Sequence, residues 1–248
     1  MISEYYDKEL VDPKTRNIGL IALSTDPIVE EDFRRVFTRE NRYRLYANRV
    51  EFNPPVTNEN LKAMGPRIGE AASLITPEEP LQVIAYACTS CATNLGDDHV
   101  CGVINQGRPE VHAINPALSG REALKAIGAT SIGLVTPYFE EVSLSVAGYF
   151  QEHGFEVVHN IYMNCEDDYQ ISRVSPLSLL NAATQASESG VDAVFLSCAA
   201  LPAMGQIEAI EDKLGIPVVT SNQAMIWHAL RLVGDNSYYP YGELFEKS

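Results

Sequence analysis

Short apolar runs bounded by turn residues alternate along this chain with longer segments whose apolar positions recur every three or four residues. Runs of four to eight apolar residues read as strands buried on both faces, and the longer segments as helices covering them. That alternation predicts an α/β protein with mainly parallel sheets. The runs themselves recur. "IGLIALSTD" (18–26) is matched by "IGLVTPYFE" (132–140), and "RLYANRVEF" (44–52) by "GFEVVHNIY" (154–162). "VIAYACTS" (83–90) is matched by "AVFLSCAA" (193–200), and "RPEVHAINPAL" (108–118) by "GIPVVTSNQAM" (215–225). The four pairs start 114, 110, 110 and 107 residues apart. Four segments in one order at nearly constant spacing predict two pseudosymmetric lobes, Rossmann-like or flavodoxin-like, with a period far too long for a solenoid.

The expected division is an N-terminal lobe over 1–118, completed by 225–248, and a C-terminal lobe over 119–224. The join falls in "PALSGREALKAIGAT" (116–130), which reads as a helix opened by Pro116 and closed by a glycine. "SNQAMIWHALRLVG" (221–234) opens with a capping-type Ser or Asn and continues with apolar spacings of three and four. It is expected to cross back to the first lobe, leaving "NSYYPYGELFEKS" as a polar, aromatic tail. "MISEYYDKELVDPK" reads as an exposed arm before the first strand.

Composition narrows the partners. Of 248 residues 46% are hydrophobic, enough for a sizeable core, and the net charge of −15 comes from 33 acidic against 18 basic residues. Such a surface repels phosphate backbones and anionic membranes, so neither nucleic acid nor membrane is an expected partner. A small anionic substrate remains compatible, because a local site can differ in sign from the whole surface. No apolar run approaches the ~20 residues of a membrane span, and the first residues lack the apolar core of a secretory signal. Five cysteines, an odd number unevenly spread, argue against a disulfide framework. These features predict a cytoplasmic protein with reduced thiols.

Open parallel sheets bind ligands beyond the carboxyl ends of their strands. Ser24, Thr25 and Asp26 follow the first strand of lobe one, and Thr136, Pro137 and Tyr138 close the first strand of lobe two. Cys88, Thr89 and Ser90 follow the third strand of lobe one, matched by Ser197 and Cys198 in lobe two. Lobes that face each other would bring Cys88 and Cys198 to one interlobe cleft. One thiolate can then add to, or deprotonate, one face of a small substrate while the other thiol supplies a proton. Helix N-termini after the strands are expected to lower the thiol pKa from about 8.5. Thr89, Ser90 and nearby backbone N–H groups would hold a carboxylate or a developing enediolate, and no cofactor is required.

Cys88 and Cys91 also form a C-x-x-C spacing, which a redox or metal pair shares. Its duller reading gives Cys91 a packing role one turn into a helix, and Cys101 and Cys165 have no repeat partner. The five histidines show no zinc-ligand spacing; His99 with Cys88, Cys91 and Cys101 is the one conceivable set, and no metal is expected. Phosphate-binding glycine motifs are absent. His228 reads as a packed residue, and the acidic run Glu166-Asp167-Asp168 as a loop on the cleft side.

These residues resemble the Asp/Glu racemase superfamily, above all the branch of maleate cis-trans isomerases and arylmalonate decarboxylases. The resemblance spans residues 17–235 and is carried by "IGLIALSTDPIVEEDF", "YACTS", "VTPYFEEV", "DDYQISRVSP" and "LSCAALPA". It implies a cofactor-independent site between the lobes, with Cys88 as nucleophile and Cys198 as acid or base. Decarboxylases of the branch keep only the second cysteine, so Cys88 favours isomerisation or racemisation. The resemblance further implies that Thr89, Ser90, Tyr138 and Ala199 contact substrate, together with Asp26 and Asp168. Maleate isomerases carry Asn at those last two positions, and relatives often carry Thr, Asn or Gly where Ala199 and Ala200 follow Cys198. An amine, amide or cyclic amidine on the substrate suits two Asp side chains better than a second carboxylate, and proteins of this branch also occur in ectoine utilisation.

The leading expectation is a cofactor-independent two-cysteine isomerase of a small carboxylate, of the maleate cis-trans isomerase type, in a homo-oligomer; a nitrogen-bearing carboxylate is one form its substrate could take. The alternatives are an Asp/Glu-type or ectoine-pathway racemase, an arylmalonate-type decarboxylase, and a non-catalytic small-acid binding protein of the same fold.

Overall fold

Apolar runs become strands here because each is covered on both faces. Strands β1 (Arg16–Leu23), β2 (Tyr43–Val50), β3 (Val83–Tyr86) and β4 (His112–Ile114) form a parallel sheet in the order β2-β1-β3-β4. Strands β5 (Ser131–Thr136), β6 (Glu156–Tyr162), β7 (Ala193–Leu196) and β8 (Val218–Thr220) repeat that order as β6-β5-β7-β8. Every residue of β3 and β7 is buried, whereas the edge strands β2 and β6 are half-exposed. This is the burial pattern of parallel sheets sandwiched between helices. The computed structural model describes residues 15–38 and 42–247, so the arm expected over 1–14 lies outside the described residues.

The helices are α1 (Val29–Phe37), α2 (Asn58–Lys62), α3 (Gly65–Ser73), α4 (Thr89–Leu95), α5 (Asp97–Gly107), α6 (Pro116–Ala126), α7 (Glu140–Glu152), α8 (Asp168–Ile171), α9 (Pro176–Ala186), α10 (Ile207–Leu214) and α11 (Ser221–Leu232). The Asn115 side chain accepts hydrogen bonds from the Ala117 and Leu118 N–H groups at the start of α6, where Pro116 has no N–H to lose. At α11 the cap is Thr220, one residue before the expected Ser or Asn. Thr220 accepts from Gln223 N–H, and the Gln223 side chain accepts in return from Thr220 N–H. This reciprocal cap leaves Ser221 and Asn222 free to bond elsewhere.

Two helices change sheets. Helix α6 follows β4 of the first sheet yet packs on β8 and against Phe195 of β7. Gly120 makes that approach possible, since a Cβ there would sit 2.8 Å from the Phe195 ring. Helix α11 follows β8 of the second sheet yet packs on β3, β4 and α1, and the two exchanged helices meet along their lengths.

The C-terminal segment is not the polar tail its composition predicts. Tyr239, Leu244 and Phe245 are buried, Trp227 and Arg231 donate to the Lys247 carbonyl, and Gln223 Nε2 donates to the Tyr241 carbonyl. Its aromatics supply apolar area that α11 lacks at that end, with the Tyr239 and Phe245 rings 5.6 Å apart. Among the described residues no helix is long and apolar enough to cross a membrane.

Candidate active site

Strands β3 and β7 stop two residues short of Cys88 and Cys198, so both thiols stand just beyond the carboxyl edges of their sheets. Between those edges lies a small cavity. Asp26, Cys88, Thr89, Ser90, Tyr138, Asp168, Cys198 and Ala199 all line it, with an apolar wall of Leu23, Phe52, Val56, Leu61, Ala87 and Ala200. Residues up to 177 positions apart in the chain, from Leu23 to Ala200, therefore meet in one place. No lysine, arginine or histidine is among the lining residues.

Cys88 is the N-cap residue of α4, and its sulfur lies 3.7 Å from Ser90 Oγ. A hydrogen bond to Cys91, together with burial, holds the Cys88 proton well above the usual thiol range. Cys91 in turn donates to the Leu61 carbonyl at 3.3 Å. All five cysteines are free thiols. Cys101 points away to donate to the Ala113 carbonyl, and among the described residues no group of three or more His, Cys, Asp or Glu could hold a metal ion.

Cys198 has a backbone φ of +142°, a conformation that costs a non-glycine residue about 1–3 kcal/mol and persists only where its surroundings enforce it. Two neighbours do so. The Cys198 N–H donates to Ser221 Oγ at 3.0 Å, and that hydroxyl is 2.8 Å from Thr89 Oγ1 across the lobes. Asn222 Nδ2 donates to the Ala199 carbonyl and to Asp32, each at 2.8 Å. Burial pushes the Cys198 thiol up, and the Asp168 and Asp26 charges push the same way; the Tyr138 hydroxyl and the Ala200 N–H oppose them.

The expected depression of both thiols by helix N-termini is therefore corrected. After Cys198 the chain enters a turn and then a short 3₁₀ segment (Met204–Gln206) before α10, so no helix N-terminus meets that sulfur. After Cys88 a helix does begin, but burial and the Cys91 bond dominate.

Asp26 Oδ1 accepts from the Ile28 and Val29 N–H groups at 2.7 and 3.1 Å, which starts α1. Burial nevertheless raises its pKa to about 6. Asp168 accepts from the Thr25 hydroxyl of the other lobe, and burial raises its pKa as well. Tyr138, expected to donate to substrate, has its hydroxyl bonded to Cys198 and Ser90. Thr89 lines the cavity, but its hydroxyl is engaged by Ser221. His228 is packed in the α6–α11 seam, with Nδ1 3.1 Å from Ser119 Oγ, and burial lowers its pKa.

A family model described as arylmalonate decarboxylase matches residues 112–245, more than half of the sequence. The chain belongs to the arylmalonate decarboxylase family. Within the Asp/Glu racemase superfamily, this family's likeness to maleate isomerases extends over nearly the whole chain. A maleate isomerase of Alcaligenes faecalis is 25% identical over 241 residues, covering 92% of this chain and 94% of that protein. The arylmalonate decarboxylase of Bordetella bronchiseptica is 30% identical over 129 residues, 50% of this chain and 54% of that one. In fold, a Nocardia farcinica maleate cis-trans isomerase mutant with a covalently bound succinylcysteine intermediate superposes with a TM-score of 0.88 at 23% identity, over 94% of this chain and all of that one.

Three site-supporting residues of this family member were not assigned a site role from sequence, Asp32, Ser221 and Asn222, whereas Thr25 was placed at the carboxyl edge without its partner. Each bonds to a residue of the opposite lobe or the neighbouring loop, so none belongs to a local motif. The available signal was the polar run Thr220-Ser221-Asn222-Gln223 directly after the eighth strand, at the same carboxyl edge as the cysteines.

Proposed function

We propose that this protein is a cofactor-independent cis-trans isomerase of a small unsaturated carboxylate, working through Cys88 and Cys198. The observation that carries the reading is the pair of buried thiols, one from each lobe, on one small cavity. Likeness to maleate isomerases over more than 90% of the chain supports the same reaction, as does the covalent cysteine intermediate named for the Nocardia relative.

In this reaction the Cys88 thiolate adds to one carbon of the double bond. The π electrons move to the neighbouring carbon, next to the carboxylate, and form an enediolate. The Cys198 thiol protonates that carbon, giving a saturated thioether in which the former double bond rotates freely. The Cys198 thiolate then removes the proton, the C–S bond breaks, and the electron pair returns to Cys88 sulfur as the trans alkene forms. Atoms and electrons balance without an oxidant or a metal. Ser90 and the first N–H groups of α4, which have no intrahelical acceptor, hold the carboxylate where negative charge develops. Tyr138, bonded to Cys198, acts as a positioning residue that steadies its thiolate.

Because burial favours the protonated form of both thiols, substrate must help create the nucleophile. The charges of Asp26 and Asp168 oppose ionisation of Cys198, so a cation brought to that side by the substrate would favour its thiolate. The other end of the substrate carries nitrogen, facing this acidic side. We also infer a homo-oligomer, supported by the half-exposed strand β6 beside exposed Tyr162, Tyr169 and Leu177; light scattering tests it, and a monomer would refute it.

The function is tested by proton NMR on maleate, maleamate and cis-4-aminocrotonate. At least one should yield its trans isomer with wild-type protein and none with Cys88→Ser. Cys198→Ser should turn over no substrate and retain a thioether adduct on Cys88, seen by intact mass. Undiminished turnover in either variant, or no turnover of any compound by the wild type, would reject the reading.

A further inference from the structure

No cationic side chain lines the acidic side of the cavity. Asp26 is 2% exposed and Asp168 is 4% exposed, and both line the cavity. Each uses one carboxylate oxygen within the protein, Asp26 for the Ile28 and Val29 N–H groups and Asp168 for the Thr25 hydroxyl. Among the described residues, the second oxygen of each has no hydrogen-bond donor. The nearest guanidinium, Arg49, is committed elsewhere: Nη1 donates to the Leu23 and Asp26 carbonyls at 2.8 Å, and Nη2 to Glu30 at 3.1 Å. Buried carboxylates favour paired or hydrogen-bonded settings, and the second oxygen of each Asp is left to accept from a ligand on the cavity side.

We propose that Asp26 and Asp168 form a receptor for a protonated nitrogen on the substrate. The cavity then takes a small zwitterion, with a carboxylate beside Cys88 and an ammonium or amidinium group between the two Asp side chains, in preference to a dicarboxylate. A dicarboxylate would bring a second negative charge against two buried carboxyls with no cation on the cavity wall. An ammonium instead supplies three donors and an amidinium a planar pair, matching the two open oxygens. The thioether chemistry is unchanged, because the cation does not take part in bond making.

The proposal rests on the isomerase reading only for the carboxylate end, and binding of unreactive analogues separates the two. Calorimetry at pH 7.5 would compare 4-aminobutyrate, succinamate and succinate, which share a chain length and have no double bond. Wild-type protein should bind 4-aminobutyrate at least tenfold more tightly than succinate, with succinamate between them. The double variant Asp26→Asn/Asp168→Asn, which keeps side-chain size and one acceptor oxygen at each position, should reverse the order. Equal or tighter binding of succinate by wild type, no binding of 4-aminobutyrate, or an unchanged preference in the double variant would overturn the receptor. Loss of the isomerase reading leaves a different signature: no trans product from any compound, with the preference for 4-aminobutyrate intact.

Discussion

Replacing Asp26 by Asn should make the protein more stable at neutral pH and hardly change it in acid. The carboxyl is 2% exposed and its pKa rises from 3.8 to about 6, chiefly through burial. The Asp168 charge adds to the rise, while the Ile28 and Val29 N–H groups and the Arg49 charge resist it. An acid with a raised folded pKa binds its proton more tightly folded than unfolded, so stability falls as pH climbs between those two values. A shift of about two units corresponds to about 3 kcal/mol once both states are ionised. About half of that is already lost at pH 5, and the remainder disappears by pH 8. Asn keeps the acceptor for both N–H groups and cannot ionise. The stability difference between variant and wild type should therefore grow by about 1.5 kcal/mol from pH 5 to pH 8. Urea unfolding at several pH values measures it, and titration of Asp32, which Asp26 does not touch, largely cancels in the comparison. A difference independent of pH would refute the reasoning, and one that shrinks with rising pH would reverse it.

Cys88→Ser and Cys198→Ser should each lower turnover by at least about a thousandfold while leaving the melting temperature within a few degrees; circular dichroism with a product assay checks both. Ser221→Ala removes the acceptor of the Cys198 N–H and should cost about 1–3 kcal/mol in urea unfolding, with kcat falling more than KM rises. Gly133→Ala should destabilise by about 3 kcal/mol or more, because its Cβ would lie 2.0 Å from the Ala186 carbonyl oxygen of α9, a backbone atom that cannot swing aside. A melting temperature equal to wild type would contradict that packing.

The two sheets were legible because each repeated run keeps its own period: seven of the eight residues of β1 and all of β7 are buried, which leaves no helical alternation to confuse them. The thiol pair was legible for the same reason, since Cys88 and Cys198 close equivalent strands. What stayed hidden depends on contacts between distant segments. The strained backbone of Cys198 is enforced by Ser221, 23 residues later, and Thr25 meets Asp168 across 143 residues. The direction of the thiol shifts was likewise out of reach, because it follows from burial and from Cys91 rather than from the helix start. The last segment misled through composition: its tyrosines look solvent-compatible, yet Tyr239 finds a place against Phe245.

The exchange of α6 and α11 has a mechanical meaning. Each sheet is roofed by a helix whose preceding strand lies in the other sheet, so the halves are laced together at two places rather than joined by one hinge. Prising them apart as a clamshell would strip a covering helix from each sheet and expose apolar surface on both. Traffic of small molecules must then rely on local movement of the cavity wall, not on opening of the whole body. A machine of this build resembles a strongbox with a letter slot: its contents are exchanged one at a time, and bulk water has no wide door through which to reach a thioether while it turns.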